Sequence, residues 1–171
     1  MASIDLAASL PQSSSHPNVR SSAAMCQPID RASQMMKSVQ DIKKSSHPIK
    51  VLIVDDQPLV RQGLQMRLEL EQDIRIVGEA EDGNLVLNLV REVEPDVVIM
   101  DVEMPMMDGI TATNLLHAAY PQVAVVILTI HDKPVLRERA FAAGASSFVE
   151  KRDGVTVLLK EIRQICAGSG D

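Results

Sequence analysis

Five polar side chains interrupt apolar runs of this 171-residue sequence: Asp55 and Asp56 after "KVLIV", Asp101 after "DVVIM", Thr129 after "AVVIL" and Lys151 after "SSFVE". A buried strand does not end on a bare carboxylate without a compensating partner. One acid of this kind reads as a helix cap. Three acids, a hydroxyl and an ammonium in equivalent places read as a reaction centre. Crowded carboxylates repel, and one of them would be driven to keep its proton. A divalent cation relieves that repulsion, and an all-oxygen ligand set selects a hard ion, Mg²⁺ or equivalently Mn²⁺. A cation held this way also grips phosphate, and a carboxylate beside it can act as nucleophile to form an acyl phosphate. The transferring group carries three equatorial oxygens to be balanced. The cation, Lys151, and the Thr129 hydroxyl with nearby backbone N–H groups can each take one. Asp101 is therefore read as a phosphate acceptor.

The elements that position these residues follow from periodicity. Strands are expected at 50–55, 74–80, 96–101, 124–129 and 146–151, and helices at 58–71, 84–94, 109–119, 133–143 and 154–167. Strands alternating with helices imply a doubly wound α/β fold with a five-stranded parallel sheet, covered on both faces. The unbroken Val/Ile runs suit strands buried on both sides. In such a sheet all strand carboxyl ends share one edge, where ligands bind. Local signals agree. Pro58 suits a first helical turn, Asp108 and Asp153 can cap helices, and Gly144 can end one. Ile110, Thr113, Leu116 and Tyr120 form one stripe with His117 towards solvent. Val157, Leu158, Ile162 and Ile165 form the expected inner face of the last helix.

Composition narrows the function classes. Apolar residues make up 46 % and aromatics 2 %, so the core must be aliphatic and base stacking on single strands is disfavoured. The net charge is −6. Residues 1–48 hold five basic and three acidic side chains, which leaves 12 basic and 20 acidic for residues 49–171. A domain at −8 does not bind DNA phosphates by itself. Cys26 and Cys166 lie far apart without metal-ligand spacing, which suits free thiols in a reducing cytoplasm. His16, His47, His117 and His131 have no ligand spacing either, and His131 is placed in a loop near the site. The longest aliphatic run, "VAVVIL" at 123–128, is too short to span a membrane. Residues 1–48 are Ser- and Pro-rich and read as a disordered extension. Their stretch 29–44 is at most a marginal amphipathic helix.

The motifs "VDD" (54–56), "MDVEMPMMDG" (100–109), "LT" (128–129) and "FVEK" (148–151), in this order at strand ends, resemble the receiver domain of two-component response regulators. The resemblance covers residues 49–168, so a receiver domain is assigned to 49–171. "LTIHD" and "LLKEIRQICAG" look most like the NarL/FixJ branch, whose members carry a LuxR-type helix-turn-helix output. The resemblance implies the flavodoxin-like strand order 2-1-3-4-5. It makes Asp101 the phospho-acceptor and places Asp56, Asp101 and the backbone carbonyl of Glu103 around the metal, with Asp55 helping mostly through water. Thr129 becomes the switch hydroxyl, Lys151 the phosphate-binding lysine and Phe148 the rotating switch aromatic. The 133–168 surface, including "RERAFAAG" (137–144), becomes the partner surface. The implied partners are a sensor histidine kinase or phosphotransfer protein and a second copy of the chain after phosphorylation.

The sequence departs from the family pattern at three places. Ile130 stands where a small residue is usual, Arg152 where many receivers have Pro, and Glu103 adds a charge beside the site. "ICAGSGD" falls where the interdomain linker of such regulators begins, so a shortened regulator of transcription is expected, with DNA reached only through an output domain. Two other classes share these features. One is a stand-alone or phosphate-independent interaction module. The other is a Mg²⁺-dependent phosphohydrolase, which adjacent "DD" after the first strand fits less well than the "DxD" of those enzymes.

Overall fold

The computed structural model describes residues 47–131 and 133–168. The expected extension up to residue 46, with its marginal helix at 29–44, lies outside the described residues. Five parallel strands, β1 (Ile49–Val54), β2 (Ile74–Ala80), β3 (Val97–Met100), β4 (Ala124–Thr129) and β5 (Ser147–Glu150), form one sheet in the order β2-β1-β3-β4-β5. They alternate with α1 (Pro58–Leu68), α2 (Gly83–Val93), α3 (Gly109–Ala119), α4 (Pro134–Ala142) and α5 (Val155–Gly168). This is the doubly wound, flavodoxin-like architecture.

Each strand alternates its side chains between two cores. Val51 and Ile53 of β1, Val97 and Ile99 of β3 and Val126 and Leu128 of β4 pack with Leu64 and Leu68 of α1 and Leu158 and Ile162 of α5. Leu52 and Val54, Val98 and Met100, and Val125 and Ile127 pack on the other face with Val86 and Val90 of α2, Leu116 of α3 and Ala140 of α4. Both faces of the central strands are therefore dry, and their residues need no polar alternation.

Caps fall largely where the sequence places them. Pro58 opens α1. The Asp108 carboxylate accepts hydrogen bonds from the N–H groups of Ile110 and Thr111 and from the Thr111 hydroxyl. Gly144 follows the end of α4 with φ +100°, a left-handed setting that glycine adopts without strain. A side chain there would strike the His117 ring of α3, which is otherwise exposed.

Several boundaries are corrected. Helix α1 ends at Leu68 rather than 71, because Glu71 and Asp73 turn towards Arg163 of α5. Strands β1, β3 and β5 stop one residue short of Asp55, Asp101 and Lys151. Lys151 instead opens a single 3₁₀ turn, Lys151–Asp153. Asp153 is separated from α5 by Gly154 at φ +80°, and its carboxylate accepts from the Glu150 N–H. On α5 the buried set is Leu158, Leu159 and Ile162, while Val157 is exposed, since it sits about 100° around the helix from Leu158.

Candidate functional site

The carboxyl edge of the sheet gathers the expected acids. Stopping the strands at Val54 and Met100 leaves Asp55 and Asp101 on the first residue past each ladder. Their N–H groups still donate to Ala80 and Val54, which fixes their Cα positions. Asp55 and Asp101 are buried and Asp56 half-buried, and each offers a carboxylate oxygen within 4.8 Å of the others. Lys151, 96 residues beyond Asp55 in the chain, lies between Asp55 and Asp101. Its Nζ is 2.7 Å from Asp55 Oδ2 and 3.2 Å from Asp101 Oδ1.

Smaller interactions aim these groups. The Gln57 N–H donates to Asp55 Oδ1, which locks that carboxylate across the start of α1. The Arg61 guanidinium donates to the Asp55 carbonyl at 2.6 Å and pairs with Glu79, tying the turn to β2. Gly109 is required on steric grounds. The start of α3 runs so close to Asp101 that any Cβ at residue 109 would collide with the Asp101 carbonyl oxygen. Sequence reading recognised Gly109 only as part of a motif, because this contact exists only once the loop 101–109 has folded back.

The electrostatics show a site short of positive charge. Asp101 is pushed up from 3.8 to about 6, chiefly by burial, and Asp55 adds to the rise while Lys151 opposes it. Burial would lower Lys151, but its hydrogen bond to Asp55 and the charges of Asp101 and Asp55 raise it, so it stays an ammonium. Asp56 Oδ1 is buried without a hydrogen-bond donor. An orphaned buried oxygen beside two more carboxylates is what a hard divalent cation would satisfy, so the residues present fit such an ion. Asp55, Asp56 and Asp101 are the side chains able to hold it.

The remaining expected residues surround this cluster. Thr129, the last residue of β4, is fully buried, and its hydroxyl oxygen accepts from the His131 N–H at 3.2 Å. Phe148 is buried on the same face of the sheet, two register positions back on β5 from the partner of Thr129. Glu103 turns its side chain to solvent, where it pairs with His131 Nε2 at 3.1 Å. This links the loop after β3 to the loop after β4 and confirms His131 beside the site. Ile130 is exposed. Arg152 is exposed and pairs with the Glu150 carboxylate. The pair Met106–Met107 divides: Met107 packs against the core, whereas Met106 is exposed with φ +65°.

The family model described as "Response regulator receiver domain" matches residues 51–163. Response regulator GacA of Pseudomonas aeruginosa is 40 % identical over 120 residues, which cover 70 % of this chain and 56 % of GacA. The chain thus spans about half the length of the curated relatives it matches. A two-component response regulator of the LuxR family from Aurantimonas sp. SI85-9A1 superposes with a TM-score of 0.68 at 34 % identity, over 71 % of this chain and 86 % of that one. The receiver domain of the putative response regulator NarL from Mycobacterium tuberculosis gives 0.65 at 29 % identity, over 73 % and 99 %.

Proposed function

This chain belongs to the response regulator receiver domain family, and from that premise we propose that Asp101 is its phospho-acceptor and that phosphorylation switches the 133–168 surface. The observation that carries the reading is the convergence of Asp55, Asp56, Asp101 and Lys151 at the carboxyl edge, with Asp56 Oδ1 lacking a donor.

The donor is a sensor histidine kinase or phosphotransfer protein bearing a phosphohistidine. An Asp101 carboxylate oxygen attacks phosphorus, an O–P bond forms, the N–P bond breaks, and the electron pair returns to the donor imidazole. Asp101 must be ionised to attack, and with a value near 6 it is mostly so at neutral pH. Lys151 already touches Asp101 and remains charged, so it can hold a phosphoryl oxygen without reorganising. Asp55 anchors that ammonium. Mg²⁺ held by Asp55, Asp56 and Asp101, together with the Glu103 carbonyl, supplies the charge that neutralises the transferring group when bound. Thr129 sits where its hydroxyl can leave the His131 N–H and turn to a phosphoryl oxygen, and Phe148 follows it on the same sheet face.

The outcome is a population shift between two conformations rather than turnover of a substrate. The acidic domain does not contact DNA. Regulation of transcription would pass through an output domain, and activation would bring two copies together. Among the described residues no helix is long and apolar enough to cross a membrane.

Intact-protein mass after incubation with acetyl phosphate tests the reading. One added phosphoryl group that requires Mg²⁺ and is absent in Asp101→Asn supports it. No added mass, with beryllofluoride also leaving the protein unperturbed, would sink it in favour of a phosphate-independent interaction module.

A further inference from the structure

Asp55 is held at every polar group it has. Its N–H donates to the Ala80 carbonyl, and its carboxylate oxygens accept from the Gln57 N–H and from Lys151 Nζ. The fourth hold is on its carbonyl oxygen, which accepts from Arg61 Nη1 at 2.6 Å. That carbonyl belongs to the peptide unit joining Asp55 to Asp56. The unit is planar, so a grip on its oxygen also fixes where the Asp56 Cα lies. Asp56 itself is held less directly. Its buried Oδ1 receives no donor, so this carboxylate takes its direction from the backbone that carries it.

Arg61 is placed to govern that backbone. Its side chain is 14 % exposed, and its Nε pairs with Glu79 Oε2 at 3.3 Å. One guanidinium therefore joins the turn after β1 to the end of β2, reaching back from the helix that begins at that turn. A planar fork with fixed donor directions makes both contacts at once, which an ammonium does not reproduce. Arg61 has two opposing effects on a divalent cation at the acids. Its charge repels the ion, whereas its grip on the peptide aims a ligand at it. The charge is paired with Glu79 and the peptide hydrogen bond is short, so the grip is the larger effect.

We propose that Arg61 is a positioning residue for the divalent cation: by holding the Asp55–Asp56 peptide it keeps the Asp56 carboxylate aimed into the cluster with Asp55 and Asp101. The proposal rests on the reading of these three acids as the cation site. Groups that orient metal ligands without touching the metal change its affinity about 10–100-fold when they are removed.

Calorimetric titration of the full chain with Mg²⁺, together with amide hydrogen exchange in metal-free buffer, tests this. Arg61→Met keeps an aliphatic stem and removes the fork. It should weaken Mg²⁺ binding about 10–100-fold and speed exchange of the Asp55 and Gln57 N–H groups, the two amides that the turn protects. Arg61→Lys keeps the charge and should restore only part of the affinity. Arg163→Ala breaks an ion pair with Glu71 and Asp73, away from this turn, and should leave both readouts native. Native Mg²⁺ affinity in folded Arg61→Met would overturn the proposal. So would tighter binding, because charge repulsion would then be the larger effect. Equal weakening in Arg163→Ala would reduce Arg61 to a general stabiliser and overturn it as well. A native protein that takes up no Mg²⁺ would instead overturn the cation reading of the acids, while the metal-free exchange rates still report whether Arg61 holds the turn.

Discussion

Two aspartates at opposite ends of the sheet each face a basic side chain, and their acidities move in opposite directions. Asp73, just before β2 at the amino edge, is lowered from its ordinary value chiefly by its hydrogen bonds to Arg163, against the opposing effect of burial. Its two oxygens each lie 2.7 Å from the guanidinium, and the pair is solvated. Asp101, at the carboxyl edge, has an ammonium at 3.2 Å and is nevertheless raised to about 6. The cation does not decide the sign. Burial does, because Asp101 has lost its water and shares one lysine with Asp55. One end carries a solvated pair whose charges satisfy each other, and the other stores an electrostatic deficit that a cation would relieve.

The strongest way to break that contrast is to remove the shared cation. Lys151→Met should destabilise the protein by roughly 3–5 kcal/mol at neutral pH without divalent cations, the range for a buried pair losing one partner. The loss should shrink in acid as the carboxylates protonate. Urea unfolding at pH 7.5 and pH 5 would measure it, and equal losses at both would contradict the account.

Removing the strained charge should do the reverse. Asp101 carries a folded value above its unfolded one, so the folded state binds the extra proton between about 6 and 3.8. The native protein therefore gains stability as pH falls through that window. Asp101→Asn should be more stable than the native protein by roughly 2–3 kcal/mol at pH 7.5 in divalent-free buffer, at 1.36 kcal/mol per unit. That advantage should fade towards pH 4. A parallel pair of stability curves would refute the deficit.

A cation should distinguish the two edges. Mg²⁺ at ten times its dissociation constant should stabilise the native protein by about 1.4 kcal/mol. Asp56→Ala should abolish the rise in Tm, whereas Asp73→Asn should leave it intact. A rise that survives Asp56→Ala would place the ion elsewhere.

The smallest effect belongs to the solvated edge. Arg163→Ala should cost only roughly 0.2–1 kcal/mol, less in high salt, because exposed pairs are screened. Asp73 is depressed on folding, so its contribution is present above its unfolded value near 3.8 and lost as pH falls through its lower folded value. Thermal melts at 0.05 and 1 M NaCl would read it. A salt-independent loss above 2 kcal/mol would mean that the two edges are not different in kind.

Much of this was legible in residue types alone. Unbroken Val/Ile runs suit a sheet buried on both sides, and β2, β4 and α3 begin and end where periodicity places them. Asp55, Asp56, Asp101, Thr129 and Lys151 were legible because each violates its own apolar run. Other features had no such local signature. The end of α1 is decided by Arg163, more than 90 positions away from Glu71 and close to that from Asp73. Arg137 reads as a solvated helix charge until β5 is placed beneath it. Glu103 and His131 are each legible as neighbours of the site, but their pairing with one another appears only once two loops are brought together.

The sequence by itself determined the alternation of elements, the aliphatic character of both cores and the choice of acids at the strand ends. Those depend on local periodicity and on the cost of burying charge, which any reader of the chain can apply. Tertiary structure alone decided which acid shares Lys151, why residue 109 must be glycine and which helix meets Phe148. Each of those depends on strand order and crossover geometry, which bring together residues tens of positions apart whose local patterns carry no record of one another.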